Sequence, residues 1–357
     1  MLKQPVGDSA RTIKIAGGGI AGMTAGIQLK KAGFNPIVYE KELEIGGNRH
    51  GDYEGLENWI FDESMNDFFV QCGFDYSQIT SIPVNRFRVH TATVPSFLIH
   101  HHQPFFHMVK RGSGASNLDT ELYRQCQSAG VQIQLGEKAP EDCDIRATGT
   151  ANAAAYIRGI NFSTSLQDQV HLLLGHEFAP KGYAYLIIIN GEGTLATAYK
   201  KPKKSGIDPL KNSVDYFDNY GITIPEGKPF GSRGSFTLPF GGMTYPYKIG
   251  EAGGFQDYLF GFGIRMSMAS GRGAALSILG KHKEAKQVFK GLNRKRRLSF
   301  VNRMLYERLN DHQMAEFAKK LSEVSNPLAI LSGAYAWNFK NIRRWISMKD
   351  RYEVRPT

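Results

Sequence analysis

The hydrophobic pattern opens on a short strand. Ile13, Ile15 and Ala16 flank Lys14 and suit buried β structure. Three glycines follow, Ile20 to Ala32 then repeats apolar residues at helical spacing, and Ile37–Tyr39 reads as a second strand. That order predicts a βαβ unit with parallel strands. Arg49 to Asn58 is polar and glycine-rich and is expected to be irregular. Residues 84–110 look extended, with Phe87, Val89, Val94, Phe97 and Ile99 predicting hairpins. Between Asn117 and Ala129, Leu118, Leu122 and Cys126 fall on one helical face with Asp119 and Glu121 in the first turn; a strand at Val131–Leu135 then predicts another crossover. A short strand over 144–149 ends in small residues. From 155 to 240 β-formers dominate, with Tyr183–Ile189 and Thr194–Tyr199 predicting a hairpin around Asn190–Gly193, and Arg265–Leu279 returns to helix.

The first turn carries chemistry as well as shape. Gly17, Gly19 and Gly22 occupy the three glycine positions of G-x-G-x-x-G, where a side chain would block the bend, a pyrophosphate or the packing of helix on strand. The N–H groups and dipole of the helix starting at Ile20 and Ala21 favour a negative group. Glu40 ends the second strand 21 residues after Gly19, where its carboxylate can accept from both ribose hydroxyls and repel a 2′-phosphate. Strand, turn, helix, strand and acid in one register predict a dinucleotide site.

Length and charge narrow the class. A chain of 357 residues predicts more than one domain, and 41% hydrophobic content is ordinary for a globular protein. The longest apolar run, Tyr183–Ile189, is far below the ~20 residues that span a bilayer, and the first eight residues lack a signal peptide's apolar core, so a cytoplasmic protein is expected. Cys72, Cys126 and Cys143 have no C-x-x-C spacing, which argues against disulfides, zinc and a redox dithiol. The net charge of +11 lies wholly after residue 280, where 18 Lys and Arg face 7 Asp and Glu. Asn293–Arg297, Lys340, Arg343, Arg344, Lys349 and Arg351 alternate there with Phe289, Phe300, Trp337, Phe339 and Trp345. A solvated helix face is favoured, an anionic membrane surface comes next, and nucleic acid is not expected, the tryptophans reading as packing residues. His100–His102 with His107 predicts no metal site, because neighbours on a strand point to opposite faces.

Beyond the first fingerprint, Gly46-Gly47 follows Glu40-Lys41, as in flavoproteins of the glutathione-reductase-like superfamily, which this segment resembles. The motif order over residues 13 to about 280 resembles the geranylgeranyl reductase family, within the larger group containing p-hydroxybenzoate hydroxylase. The resemblance rests on Arg111 with Asp119 and Leu122, on Pro180-Lys-Gly-Tyr-Ala-Tyr185, on Gly250-Glu-Ala-Gly-Gly254, on Gly261-Phe-Gly-Ile264 and on Ser270-Gly271. Three positions differ. Arg49-His-Gly-Asp replaces the family's Cys-Gly-Gly, the substrate strand reads Tyr183-x-Tyr185-x-Ile187-Ile188 instead of Tyr-x-Trp-x-Phe-Pro, and Glu251 stands for Asp.

The resemblance implies an α/β fold: a Rossmann-like FAD-binding domain of the glutathione-reductase type, an inserted, mainly antiparallel β substrate domain, and a basic helical tail. The expected FAD-binding segments are 1–50, 105–155 and 236–282, the substrate segments 51–104 and 156–235, and the tail 283–357. FAD is expected to meet Gly17, Gly19, Ile20, Ala21, Gly22, Glu40, Lys41, Gly47, Arg49 and Arg111, then Ala147-Thr148-Gly149 where the chain leaves the nucleotide domain. Gly250, Glu251, Gly261, Gly263 and Ile264 complete the set. The implied activity is reduction: hydride from flavin N5 to a double bond of an apolar isoprenoid or lipid-like substrate, with His50 and Tyr185 as candidate proton donors. With one fingerprint there is no separate nicotinamide domain, so the reductant is NAD(P)H docking transiently, or a protein or deazaflavin donor. The alternatives are an FAD monooxygenase acting on an aromatic or polyketide-like molecule, although the aromatic hydroxylases' Asp-Gly is missing at 144–150, and a non-redox FAD-containing cyclase or accessory protein. A halogenase is disfavoured because Trp-x-Trp-x-Ile-Pro is absent.

Overall fold

The computed structural model describes residues 11–149, 155–200, 206–234 and 244–352. The first ten residues, on which the leader reading rests, and residues 235–243, where the third nucleotide segment was expected to begin, lie outside them. The chain starts with β1 (Thr12–Ala16), α1 (Ile20–Lys31), β2 (Asn35–Glu40), β3 (Tyr53–Glu57), α2 (Met65–Cys72), β4 (Ile82–Val84), β5 (Arg86–Thr91), β6 (Phe97–His100) and β7 (Phe106–Lys110). Next come α3 (Leu118–Ser128), β8 (Gln132–Leu135), β9 (Ile145–Arg146), β10 (Ala155–Ser163), β11 (Gln169–Leu174), β12 (Tyr183–Ile189) and β13 (Glu192–Tyr199). After α4 (Pro209–Asn219), β14 (Lys228–Gly234) and β15 (Tyr247–Lys248), the helices α5 (Ile264–Ile278), α6 (His282–Tyr306), α7 (Asp311–Glu323), α8 (Pro327–Tyr335) and α9 (Phe339–Arg351) complete it.

A parallel sheet in the order β15-β9-β1-β2-β8 forms the Rossmann-like half of this α/β fold. β1 is central, so Ile13, Ile15 and Ala16 are all buried, as strands covered on both faces require. α1 crosses from β1 to β2, and α5 packs on α1.

A second sheet, β14-β10-β13-β12-β11-β5-β6, is antiparallel except where β11 runs parallel to β5. The unbroken apolar run of β12 is explained by burial on two sides. Ala184, Leu186 and Ile188 pack beneath α4 with Phe217, while Ile187 and Ile189 meet Tyr53, Val84 and Met108 of other strands. The expected hairpin forms, but its turn is only Asn190-Gly191, with φ of 51° and 77°. Two residues of positive φ match the twist of the strands, which leaves Glu192 and Gly193 inside β13.

Two expectations are corrected. Residues 49–58 are not wholly irregular: Tyr53–Glu57 is a strand whose partner, β7, also pairs with β4. β7 thus lies in a small third sheet, β3-β7-β4. The run Asn293–Arg297 is not a solvated face either. Arg296 is fully buried with its guanidinium over the Phe255 ring, Lys295 donates to the Ile60 carbonyl, and Arg297 lies against Trp337 and Trp345. Stacking on aromatic rings lets these cations enter the packed interior. Beside them, buried Asp257 accepts from Ser299 Oγ of α6 and Tyr335 Oη of α8, each at 2.6 Å. This links both helices to the segment before α5.

Under α4, His90 Nε2 and His171 Nδ1 are 2.7 Å apart, and the chain of bonds continues to Tyr216 Oη and Gln169 Oε1. Burial pushes both imidazoles down, His90 to about 3 and His171 to about 4, with His171 and Arg88 adding to the effect on His90 and Arg88 to that on His171. The unfolded chain therefore takes up protons below about pH 6.5 while the folded one does not, and stability falls with pH below that point. Urea unfolding at pH 7 and pH 5 should reveal a loss of about 2 kcal/mol per histidine in the natural chain and a smaller loss in a His90→Gln, His171→Gln variant. Equal losses would contradict neutral buried imidazoles.

Candidate functional site

The glycine turn is set by how closely backbone passes backbone. At Gly17 φ is 102°, and a Cβ there would run into the Ala147 carbonyl; a Cβ at Gly22 would run into the carbonyl of Gly17. Gly19 differs. Its backbone is ordinary, with φ of −70°, and apart from its chain neighbours no protein atom lies within 4 Å of where a Cβ would stand, so the space left clear there is cavity. α1 starts at that point with no side-chain cap, and its first-turn N–H groups have no intrahelical acceptor. Glu40 closes the turn from the side, its two oxygens accepting from Gly18 N at 2.7 Å and Glu42 N at 3.0 Å. Lys41 reaches outward to Glu42.

The two later motifs converge on this turn. Ala147 N donates to Ala16 O at 2.6 Å, and Gly149 lies close to Glu251. At Gly250 φ is 57°; its N–H donates to Ser270 Oγ at 2.8 Å, and a Cβ would come within 2.9 Å of Ala21 Cβ. Gly263 caps α5, again without a side-chain bond, so Ile264 begins a second helix whose free N–H groups face the same region.

One cavity of about 1340 Å³ joins these parts. Of the residues singled out for cofactor contact, all but Gly22 form its wall; Gly22 stands behind the turn. Past Gly47 and Arg49 the cavity widens into a chamber of aromatic and aliphatic groups, among them Trp59, Phe106, Met108 and Phe262, with Tyr183 and Tyr185 of β12 on another side. Tyr183 Oη donates to the Phe260 carbonyl. His50 is exposed at the rim and stacks on Phe230 at 5.1 Å. Sequence reasoning missed the wall that the tail provides, with Tyr306 of α6, Leu321 of α7, and Leu331 and Tyr335 of α8. The apolar run of Pro327–Tyr335 was the available signal. His107 Nδ1 bonds Tyr76 Oη at 3.0 Å and His101 Nδ1 accepts from Gln103 N at 3.1 Å, so the histidine run does not converge. Among the described residues no group of three or more His, Cys, Asp or Glu could hold a metal ion.

Charge is arranged tightly beside the chamber. Buried Arg111 gives Nε and a terminal nitrogen to Asp119 at 2.8 and 2.9 Å and the other to Glu54 at 2.7 Å. Arg49 lies 3.7 Å from Glu54. Asp52, immediately before β3, is buried and also part of the wall. Burial first, then the Glu54 charge, raises its carboxyl above the ordinary range, and burial likewise raises the Tyr185 phenol well above its usual value. At the far end of β3, burial pushes the Glu57 carboxyl up to about 7 against the pull of Arg265.

Residues 15–71 match the family described as NAD(P)-binding Rossmann-like domain. A thiamine thiazole synthase of Thermococcus kodakarensis is 37% identical over 67 residues; the match spans 19% of this chain and about a quarter of that protein, 27%. Among solved structures, a geranylgeranyl bacteriochlorophyll reductase-like protein from Thermoplasma acidophilum superposes with a TM-score of 0.71 at 18% identity, covering 96% of this chain and 99% of the other. The p-nitrophenol 4-monooxygenase of Pseudomonas putida gives 0.63 at 12%, covering 94% and 99%. CtdE in complex with FAD and a substrate gives 0.55 at 14%, covering 94% and 99%. At these identities the likeness is one of fold, and it extends over nearly the whole chain.

The Arg111 cluster makes a prediction about stability. Burial alone would raise the Asp119 carboxyl, but the Arg111 charge and hydrogen bonds overcome it and hold it below the usual range. Its contribution is present above about pH 4 and is lost as pH falls through the lowered folded value. Asp119→Asn leaves a buried guanidinium short of one partner and should cost about 3 kcal/mol in urea unfolding at pH 7, with a shallower acid dependence than the natural chain. A cost below about 0.5 kcal/mol, the usual size at ordinary surface sites, would contradict this role.

Proposed function

We propose that this chain is an FAD-dependent oxidoreductase that reduces a double bond of an apolar, isoprenoid or lipid-like molecule. The observation that carries the reading is the continuity of the cavity from the glycine turn into the apolar chamber. Its 1340 Å³ exceeds the roughly 300–1,000 Å³ of a site for one small ligand and suits a dinucleotide with a second molecule beyond it. The residues present suit FAD. Gly19 keeps its position clear for a pyrophosphate, the free N–H groups of α1 would hold that group, and Glu40 would take the ribose hydroxyls. The start of α5 offers positive potential to the ring system. Bound FAD supplies two-electron exchange with the substrate. The protein's part is to exclude water with the aromatic walls and the tail helices, and to hold a proton where the chamber needs one. The reductase-like neighbour with a TM-score of 0.71 supports this choice of reaction.

The electron donor is proposed to dock transiently, NAD(P)H being the first to try. Purification without added flavin should give a yellow protein whose flavin, once reduced, reoxidises slowly in air. Fast reoxidation that a phenolic substrate accelerates would move the monooxygenase reading ahead, and a colourless chain that FAD cannot reconstitute would overturn the proposal. Gly19→Ala should melt within about 1 °C of the natural chain, because a methyl there touches no protein atom, and bind FAD at least about tenfold more weakly, a penalty of about 1.4 kcal/mol. Normal FAD affinity in this variant would mean that the turn does not approach the cofactor.

No described helix is long and apolar enough to cross a membrane. The outward side of α9 instead supports a peripheral contact with an anionic bilayer. Phe339 is 77% exposed and Ile346 51%, seven residues apart and hence on one face, with Lys340, Arg343, Arg344 and Lys349 exposed around them. Such a face suits acidic headgroups. Sedimentation with phosphatidylserine vesicles at low salt should retain the natural chain, and Phe339→Ser, Ile346→Ser should reduce retention several-fold. Equal recovery with phosphatidylcholine vesicles would contradict it.

A further inference from the structure

At the start of β3 the carboxylates Asp52, Glu54 and Asp119 stand with two guanidinium groups, those of Arg111 and Arg49. Arg111 is committed to Asp119 and Glu54, and Arg49 lies against Glu54 as well. Asp52 is left over. Its backbone carbonyl accepts from Arg111 N at 3.1 Å, yet its carboxyl makes no ion pair or side-chain hydrogen bond to another described residue. It is only 7% exposed, and it forms part of the cavity wall. The charged and titratable groups around it are Glu54 on β3, Arg111 after β7, His50 in the preceding loop and Tyr185 on β12. A desolvated carboxyl without a cation in contact, near a second carboxylate, holds its proton to higher pH than usual.

The two proton donors suggested by sequence are less suited. His50 is exposed and stacked on Phe230, and the buried Tyr185 phenol holds its proton too firmly to release it. We propose that Asp52 is the group that delivers a proton to the substrate in the chamber. This rests on the reductase reading above. Reduction of a carbon–carbon double bond adds a hydride at one carbon and a proton at its neighbour. The hydride comes from reduced FAD, which is oxidised. The Asp52 O–H bond breaks, the π electron pair forms the new C–H bond, and a carboxylate is left to be reprotonated from solvent through the His50 rim.

Two measurements on the full chain reconstituted with FAD test the proposal separately from the reading beneath it. In infrared pH titrations, the difference between the natural chain and Asp52→Asn should contain a protonated-carboxyl band that persists to higher pH than that of an ordinary, solvent-exposed aspartate. Glu57→Gln should leave that band in place. Its absence overturns the proposal whether or not turnover occurs. In the second, dithionite-reduced protein is mixed with geranylgeraniol. Asp52→Asn should retain FAD and lower product formation about a hundredfold or more, whereas His50→Asn should lower it less than about tenfold. Full activity in Asp52→Asn overturns the proton role and leaves the redox reading standing. If the natural chain binds no FAD, or reduces none of the probe, the function or substrate reading fails, and the infrared result alone decides whether Asp52 holds the proton.

Discussion

Four backbone segments pass within van der Waals distance at the C-terminal end of β1, and the architecture depends on that crowding. Gly17 faces the Ala147 carbonyl, Gly22 faces Gly17, Gly250 faces Ala21, and Gly271 of α5 faces the Ala21 carbonyl. A methyl at any of them would push two elements apart. Kept together, they bring the N-termini of α1 and α5 to one cavity, both capped by glycines without side-chain bonds. Two converging helix dipoles add positive potential to that of the basic side chains in the wall, Lys41, Arg49 and Arg111 among them. The two helix starts meet there as a by-product of close packing.

The remaining structure extends that polar corner into an apolar chamber. β12 separates two environments, one face buried under α4 and the other presenting Tyr183 and Tyr185 inward. The small sheet of β3, β4 and β7 supplies Phe106 and Met108, and the tail helices close the remaining side. The Arg111 pairs fix the polar border between cofactor corner and chamber, because a bidentate guanidinium in low dielectric tolerates little displacement of its carboxylates.

Much of this was legible in the chain because local rules and tertiary packing agree. G-x-G-x-x-G over Gly17–Gly22 marks a turn whose sterics admit only glycine at Gly17 and Gly22, and the spacing of Leu118, Leu122 and Cys126 is a helix whatever it packs against. The failures lie where long-range contacts overrule composition. Tyr53–Glu57 looks like loop, yet β7 offers it a full ladder of hydrogen bonds. Arg296 and Lys295 look like solvated charge, yet aromatic rings and carbonyls distant in sequence receive them. Asp52 escaped notice for the same reason, since its lack of a cation is visible only once Arg111 is seen committed elsewhere.

The Asp257 junction bears on how such a chain was assembled. Its donors sit on α6 and α8, while Lys295 of α6 reaches back to Ile60 in the loop after β3. A tail taken from an unrelated protein would bring neither the hydroxyls nor the ammonium, and would leave the buried carboxylate with backbone donors alone, such as Phe260 N at 2.7 Å. Tail and loops are therefore one packing unit, and a chimera that exchanges the C-terminal helices at α5 cuts through that unit.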